Sequence, residues 1–391
     1  MAERMALTGN EAVSYAMMQI NPDVVAAYPI TPQTAMMQRF ADFVADGEVD
    51  TEFVLVESEH SAMSALVGAA AAGARTMTAT SANGLALMWE IVYIAASGRL
   101  PIVMPVVNRA LSGPINILCD HSDTMGTRDA GWIQLFSENA QEAYENTLQA
   151  VRIAEHPDVL TPVMVTLDGF IISHGLETVE VHDKSAVRDF VGEYEPAFSL
   201  LDADHPITFG PIDFSDYYME HKRSQVEGIE AAMKVIPEIG KEFGERFGRT
   251  YDLFELYKVE DAEVVLIALG STAGTIKAVA DRLRDQGMKA GLVKLRAFRP
   301  FPAERLVESL DSVKAITVLD RSMSFGAVGG PLFGEVRAAF YGQDVPIMDV
   351  IYGLGGRNIT LREIEGIFQE TENIARTGKV ENLVSYLSVR E

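Results

Sequence analysis

Residues 53–60 read Phe53-Val54-Leu55-Val56-Glu57-Ser58-Glu59-His60, and the small-residue run Ala62–Gly73 follows. The apolar run Phe53–Val56, bounded by polar residues, predicts a buried strand. Ser58 is a helix-capping residue, because its hydroxyl accepts from a backbone N–H that the first helical turn leaves unpaired. The stretch is therefore a strand, a tight turn and a helix. Glu59 lies in the first turn, where the helix end stabilises an anion. The same unit recurs on both sides. Upstream, Val24–Tyr28 is a strand ended by Pro29-Ile30-Thr31-Pro32, with Thr31 expected as N-cap and Pro32 as the first helical residue. The helix that follows turns Met36, Met37, Phe40, Phe43 and Val44 inward. Downstream come strand Thr76–Thr80, helix Leu85–Ala96, strand Ile102–Val107, a helix over Ala140–Ala154 and strand Val163–Leu167. Continuous apolar strands alternating with helices indicate an α/β fold with a parallel sheet covered on both faces. Thr8-Gly9-Asn10-Glu11 is a capping box that opens the first helix.

Residues 200–260 break this rhythm with His205-Pro206, Gly210-Pro211 and Tyr217-Tyr218, and Val226–Phe247 reads as a charged helical connector. A second α/β unit then begins, with strands at Val264–Leu269, Leu292–Leu295, Ile316–Leu319 and Ile347–Ile351. Its last main helix opens at the capping box Thr360-Leu361-Arg362-Glu363. The expected division is 1–235 for the first domain, 236–260 for the connector and 261–391 for the second domain.

A chain of 391 residues suits two or three domains, and 48% hydrophobic content allows sizeable cores. The formal net charge of -24 opposes nucleic acid and anionic membrane as partners. A lone cysteine, Cys119, excludes a disulfide within the chain and a four-thiolate cluster. Redox chemistry would therefore pass its electrons through another chain. Met1–Gly9 has no signal-peptide pattern, and no uninterrupted apolar run reaches about 18 residues. A cytoplasmic location is expected.

Ligands of open α/β sheets sit beyond the carboxyl ends of the strands. Each such end here carries polar residues. Pro29, Ile30 and Thr31 offer a hydroxyl and free amides suited to an anionic group. Glu59 offers a carboxylate that, against an apolar pocket and a ring nitrogen, can share a proton. Ser81 and Asn83 lie in a small-residue turn, Ser81-Ala82-Asn83-Gly84, that backbone or ligand can approach closely. Asn108 and Arg109 end another strand, and a guanidinium there can grip a carboxylate through two N–H groups. Asp120, His121 and Asp123 form a polar loop expected to border the site; their spacing matches neither zinc nor calcium motifs, so no metal is expected on this chain. Read alone, each has a plain structural alternative. Glu59 is then a solvated first-turn glutamate, Thr31-Pro32 a rigid capped turn, Ser81–Gly84 a helix cap and Arg109 a structural salt bridge. The glycine loops Gly326–Gly330 and Gly353–Gly356 lack dinucleotide-binding spacing and read as packing turns.

Taken together and in order, the segments are specific. Tyr28-Pro29-Ile30-Thr31-Pro32, Glu57-Ser58-Glu59-His60, Thr78-Ala79-Thr80-Ser81, Asn108-Arg109-Ala110-Leu111-Ser112, Asp120-His121-Ser122-Asp123 and Leu167-Asp168-Gly169-Phe170 resemble the alpha subunit of pyruvate:ferredoxin oxidoreductase and its 2-oxoacid relatives. Arg299-Pro300-Phe301-Pro302, Val318-Leu319-Asp320-Arg321 and Tyr352-Gly353-Leu354-Gly355 carry the resemblance through the second half. It implies a thiamine diphosphate-binding domain of the pyrimidine type followed by a transketolase C-terminal-like domain. It implies thiamine diphosphate shared with a beta subunit. Mg²⁺ and [4Fe-4S] clusters would lie on partner subunits, gamma and delta subunits or equivalent domains would complete the complex, and ferredoxin would accept the electrons. Glu59 matches the glutamate that hydrogen-bonds the aminopyrimidine ring. Thr31 and Arg109 match residues that contact the substrate carboxylate, with Asn108 beside them. Pro29, Ile30, Ser81 and Asn83 would line the cofactor. The implied reaction is decarboxylation of a 2-oxoacid with coenzyme A. The turn carries Thr31 rather than a second arginine, which argues against oxalate, and pyruvate is expected first. 2-Oxobutyrate, 2-oxoisovalerate and 2-oxoglutarate stay open, as do a transketolase-like transferase and a non-catalytic scaffold subunit.

Overall fold

The computed structural model describes residues 2–390. Its larger sheet has seven strands in the order Ala297–Arg299, Ile133–Phe136, Val163–Asp168, Val103–Asn108, Thr76–Met77, Val24–Ala27 and Glu52–Leu55. All pairings are parallel except that of Ala297–Arg299 with Ile133–Phe136. The central strands Val103–Asn108 and Val163–Asp168 are buried along their whole length, which is why they read as unbroken apolar runs. Helices Gly9–Ile20 and Ala140–Glu155 cover one face, and helices Glu59–Ala71 and Trp89–Ser97 cover the other. The second sheet has six strands, ordered Val384–Tyr386, Ile347–Ile351, Ala315–Asp320, Val264–Ala268, Ala290–Leu295 and Phe254–Tyr257, with only the last antiparallel. The two expected capping boxes form at Thr8 with Glu11 and at Thr360 with Glu363.

Several elements differ from the sequence reading. The helix expected to start at Thr31-Pro32 starts at Thr34, and Gln33 holds the capping position. The Ile30 carbonyl accepts from Gln33 N at 2.8 Å and from Thr34 N at 3.1 Å, so a separate turn occupies residues 30–33 first. The expected strand Thr76–Thr80 keeps only Thr76–Met77; Thr80 rejoins the sheet through an isolated bridge to Val106. The helix expected at Leu85–Ala96 is two helices, Ala82–Leu87 and Trp89–Ser97, meeting at Met88. The connector helix starts at Tyr218 rather than Val226 and runs to Phe247, so residues 235 and 236 both lie inside it. Strand Ala297–Arg299 leaves the second unit and completes the edge of the first sheet. No helix among the described residues is long and apolar enough to cross a membrane.

Candidate active site

Ser58 is extended, and its hydroxyl accepts from Ser61 N at 3.2 Å, which launches the helix at Glu59. Residue Glu59 is only 6% exposed, and the one donor recorded against its carboxylate is its own backbone N–H at the helix start; no other side chain among the described residues bonds it. Burial therefore raises the pKa of Glu59 above the ordinary glutamate value, opposed by the helix-start backbone. Around it lie groups without partners. The hydroxyls of Thr80 and Ser81 are fully buried and unpaired. Gly84 forms the facing wall: a Cβ there would stand 2.7 Å from Glu59 Oε1 and 2.5 Å from Thr80 Oγ1. Buried polar groups are normally satisfied. A buried carboxylate bonded by no other side chain and an unpaired hydroxyl, facing a wall that only glycine can form, suit a flat, nitrogen-bearing ligand.

The adjacent strand ends carry the opposite charge. Arg109 is 7% exposed, with Nη1 donating to Thr31 O at 2.9 Å and Nε donating to Asn116 O at 3.1 Å. No carboxylate among the described residues pairs with it. A buried guanidinium held only by carbonyls leaves N–H groups and a charge available to an anion. The structure thus brings Thr31 and Arg109 together, with the Thr31 side chain exposed beside the guanidinium's backbone contact.

Asp123 holds this arrangement from behind. Its carboxylate accepts from Ala82 N and Arg109 N, both at 3.0 Å, and from Asn108 Nδ2 at 2.9 Å. It thereby fixes Ala82 at φ +40°, a left-handed conformation unusual for alanine. Burial pushes the Asp123 carboxyl up to about 6, against the pull of these N–H donors. Asn108 has its amide nitrogen on Asp123 and Thr124, and its Oδ1 is buried without a partner. Asn83 is exposed and accepts from the Ser112 hydroxyl and amide. Pro29 is exposed, and Ile30 is half-buried at the turn.

The loop expected to border the site reaches between the two units. Asp120 Oδ2 accepts from Gly355 N at 3.2 Å. His121 Nε2 lies 2.8 Å from Asp168 Oδ1, and the other oxygen of Asp168 accepts from Arg321 Nη1 at 2.8 Å and from Ser271. The His121 and Arg321 charges hold the Asp168 carboxyl well below the usual range. Two groups among the described residues bring three potential metal ligands together. In Cys119, His121 and Asp168 the aspartate already pairs with Arg321, and in Glu138, Glu142 and Glu255 the charge is met by Lys294. Sequence reasoning passed over Gln33 and Asn116, and named Thr80 and Gly84 only as members of a strand end and of a small-residue turn. For Gln33 the signal available was position, since it directly follows a turn already singled out; Asn116, in a loop well beyond its strand end, gave none.

The models of known families match in two parts. Residues 15–241 match the thiamine diphosphate-binding domain of pyruvate flavodoxin/ferredoxin oxidoreductase, and residues 262–364 match core domain II of pyruvate:ferredoxin oxidoreductase. The chain belongs to the pyruvate:ferredoxin oxidoreductase family. Within that family it is 62% identical to pyruvate synthase subunit PorA of Thermotoga maritima, over 95% of both chains. It is also 44% identical to the ketoisovalerate oxidoreductase subunit VorA of Pyrococcus horikoshii, over 99% of this chain and 98% of the relative. Among solved structures it superimposes on a 2-oxoglutarate:ferredoxin oxidoreductase from Magnetococcus marinus with TM-score 0.71 and 21% identity. That likeness covers 95% of this chain and 65% of the longer one, and it supports the fold. A thiamine diphosphate-binding α/β domain and a transketolase-like architecture are thus both found, as the family resemblance implied.

Proposed function

We propose that this chain supplies the pyrimidine-recognising half of a shared thiamine diphosphate site and the clamp for the substrate carboxylate. As a member of the pyruvate:ferredoxin oxidoreductase family it is an alpha subunit, and the reaction is oxidative decarboxylation of pyruvate with coenzyme A, giving acetyl-CoA, CO2 and reduced ferredoxin. The observation that carries the reading is Glu59: a buried carboxylate with a raised pKa, no partner from another side chain among the described residues, and Gly84 and Thr80 around it.

The residues divide the work. Glu59 holds a proton at a ring nitrogen, and its burial keeps that hydrogen bond out of competition with water. Ser81 and Thr80 offer hydroxyls, and Pro29 and Ile30 a wall, to the same ring. Asn83 lies at the rim. Arg109 and Thr31 hold the 2-oxoacid carboxylate, with Asn108 at the same strand end. This fixes the substrate's reacting carbon relative to the cofactor. Asp123 positions Ala82 and Arg109; Asp120 and His121 fasten the loop to the second unit. Thiamine diphosphate, when bound, supplies the carbon nucleophile and the electron sink that decarboxylation requires.

The diphosphate with its Mg²⁺ is assigned to a beta subunit on the family resemblance, and the [4Fe-4S] clusters to partner chains because this chain has one cysteine, and that one is buried. Gamma and delta subunits, or equivalent domains, complete the path to ferredoxin in a cytoplasmic complex. The helix Glu59–Ala71 turns Ser64, Ala65 and Gly68 outward, which leaves space for a partner to approach the Glu59 end. We place the first domain at 1–235 and the second at 261–391, with 236–260 between them. A branched 2-oxoacid is the second reading, favoured by the 44% identity to the ketoisovalerate relative. The ratio of kcat/KM for pyruvate over 2-oxoisovalerate separates the two.

Glu59→Gln in the reconstituted complex tests the central claim. The amide cannot share a carboxylate's proton, and we expect coenzyme A-dependent pyruvate oxidation to fall by at least about a hundredfold with the complex assembled. Turnover within a factor of about three of the parent would sink the role of Glu59.

A further inference from the structure

Asp123 holds the Arg109 backbone, but no side chain among the described residues holds its guanidinium. Its guanidinium rests on two backbone carbonyls, Thr31 O and Asn116 O. Thr31 belongs to a turn fastened to the first sheet, since Gln33 Nε2 donates to Ala79 O at 2.9 Å. Asn116 belongs to a surface loop in which Ser112, Gly113, Pro114, Ile115, Ile117 and Leu118 are all exposed. Such a loop fixes a carbonyl only if something fastens it. The loop's two ends are held within the first unit, by Ser112 on Asn83 and by Ala110 N on Leu118 O, but at Asn116 itself the fastening comes from the second unit. Asn116 Nδ2 donates to Gly355 O at 3.0 Å, while Asn116 Oδ1 accepts from Leu118 N at 2.7 Å. The same glycine loop donates from Gly355 N to Asp120 and from Gly356 N to Cys119 O at 2.6 Å.

Glycine is required at this contact. Gly353, Gly355 and Gly356 all have positive φ, and a Cβ on Gly355 or Gly356 would overlap Asn116 Nδ2 or Leu118 respectively. The sequence Gly353-Leu354-Gly355-Gly356, a packing turn by sequence, is therefore the seat of the loop behind Arg109. We propose that Asn116 is a positioning residue: seated on the Gly353–Gly356 loop of the second unit, it sets the reach of Arg109 toward the substrate carboxylate. This rests on the reading of Arg109 as the carboxylate clamp. In consequence the second unit, which supplies neither Glu59 nor Thr31 nor Arg109, takes part in substrate affinity.

The test uses the full complex, with pyruvate and coenzyme A varied separately. Asn116→Leu keeps the side-chain size and removes the donor to Gly355. Losing one neutral hydrogen bond that orients the guanidinium is expected to raise KM for pyruvate roughly 3- to 10-fold. The value of kcat and the KM for coenzyme A should stay within about twofold. Arg109→Lys is measured beside it and is expected to raise KM for pyruvate about tenfold or more, since lysine cannot form the two-pronged contact. A clear effect of Arg109→Lys with an unchanged pyruvate KM in Asn116→Leu overturns the positioning role alone. A fall of kcat and both KM terms moving together in Asn116→Leu makes Asn116 merely structural and overturns it too. If Arg109→Lys leaves KM for pyruvate unchanged, the clamp reading fails and the inference with it.

Discussion

Asp168 gives the sharpest test of how the two units are held together. It is buried at the end of strand Val163–Asp168, between His121 of the first unit and Arg321 and Ser271 of the second. Asp168→Asn preserves the shape but removes the charge and turns one acceptor into a donor, facing a guanidinium whose Nε already lacks a partner. Breaking a buried ion pair by removing one member costs about 3–5 kcal/mol, because the other charge stays buried. Unfolding entropy is about 2.1 cal/mol/K per residue, so a chain of 391 residues unfolding as one unit has roughly 0.8 kcal/mol/K. The expected fall in Tm is therefore about 4–6 °C, read by scanning calorimetry of the purified chain at pH 7. The pH dependence is fixed in sign. The native carboxyl is held below its unfolded value, so its contribution is complete above about pH 4 and disappears as pH falls through the lowered native value. The parent and variant should converge in acid. A shift below about 1 °C at pH 7, or a gap that widens in acid, would refute the reasoning.

Three further outcomes follow from the same geometry. Gly84→Ala puts a methyl group against Glu59 Oε1 and Thr80 Oγ1; the assembled complex should retain about tenfold less thiamine diphosphate, and normal cofactor content with normal turnover would count against the site. Glu59→Gln should stabilise the chain relative to the parent at pH 7 and not at pH 4, because burial disfavours the ionised carboxylate that forms between those values; a Tm difference of the opposite sign contradicts the burial argument. Gly240→Ala, in the helix Tyr218–Phe247, should lower stability by about 1–2 kcal/mol despite alanine's better helix propensity, since the new Cβ overlaps the Tyr251 carbonyl. Urea unfolding reads that difference directly.

Much of the first unit was legible because its signals are local. Ser58 and Glu59 start a helix through a capping bond to Ser61, three residues away, and the buried strands declare themselves as apolar runs. The turn at Pro29–Gln33 was misread because what decides it is distant: Gln33 is drawn inward to Ala79 O, across 46 residues. The edge strand Ala297–Arg299 was invisible for the same reason, being three residues paired with a segment more than 150 positions earlier. Strand Leu176–Val181, paired with Glu3–Thr8, was missed likewise. At the site, residue identity and position at a strand end singled out Glu59, Thr31 and Arg109 beside plain structural alternatives, and the family resemblance gave them their roles. That Asp120 and His121 serve the seam between the units was not legible, because a polar loop reads alike whether it faces ligand or another part of the chain.

The strand Ala297–Arg299 also bears on how the chain could ever be divided. Ile133, Leu135 and Phe136, all buried, form the strand it protects, and without it their backbone would be an open, apolar sheet margin. A cut in the stretch between the helix and the second sheet yields a first half whose sheet invites strangers and a second half with a loose ribbon. The stretches of sequence that look like two domains therefore share one sheet, which only the whole chain completes.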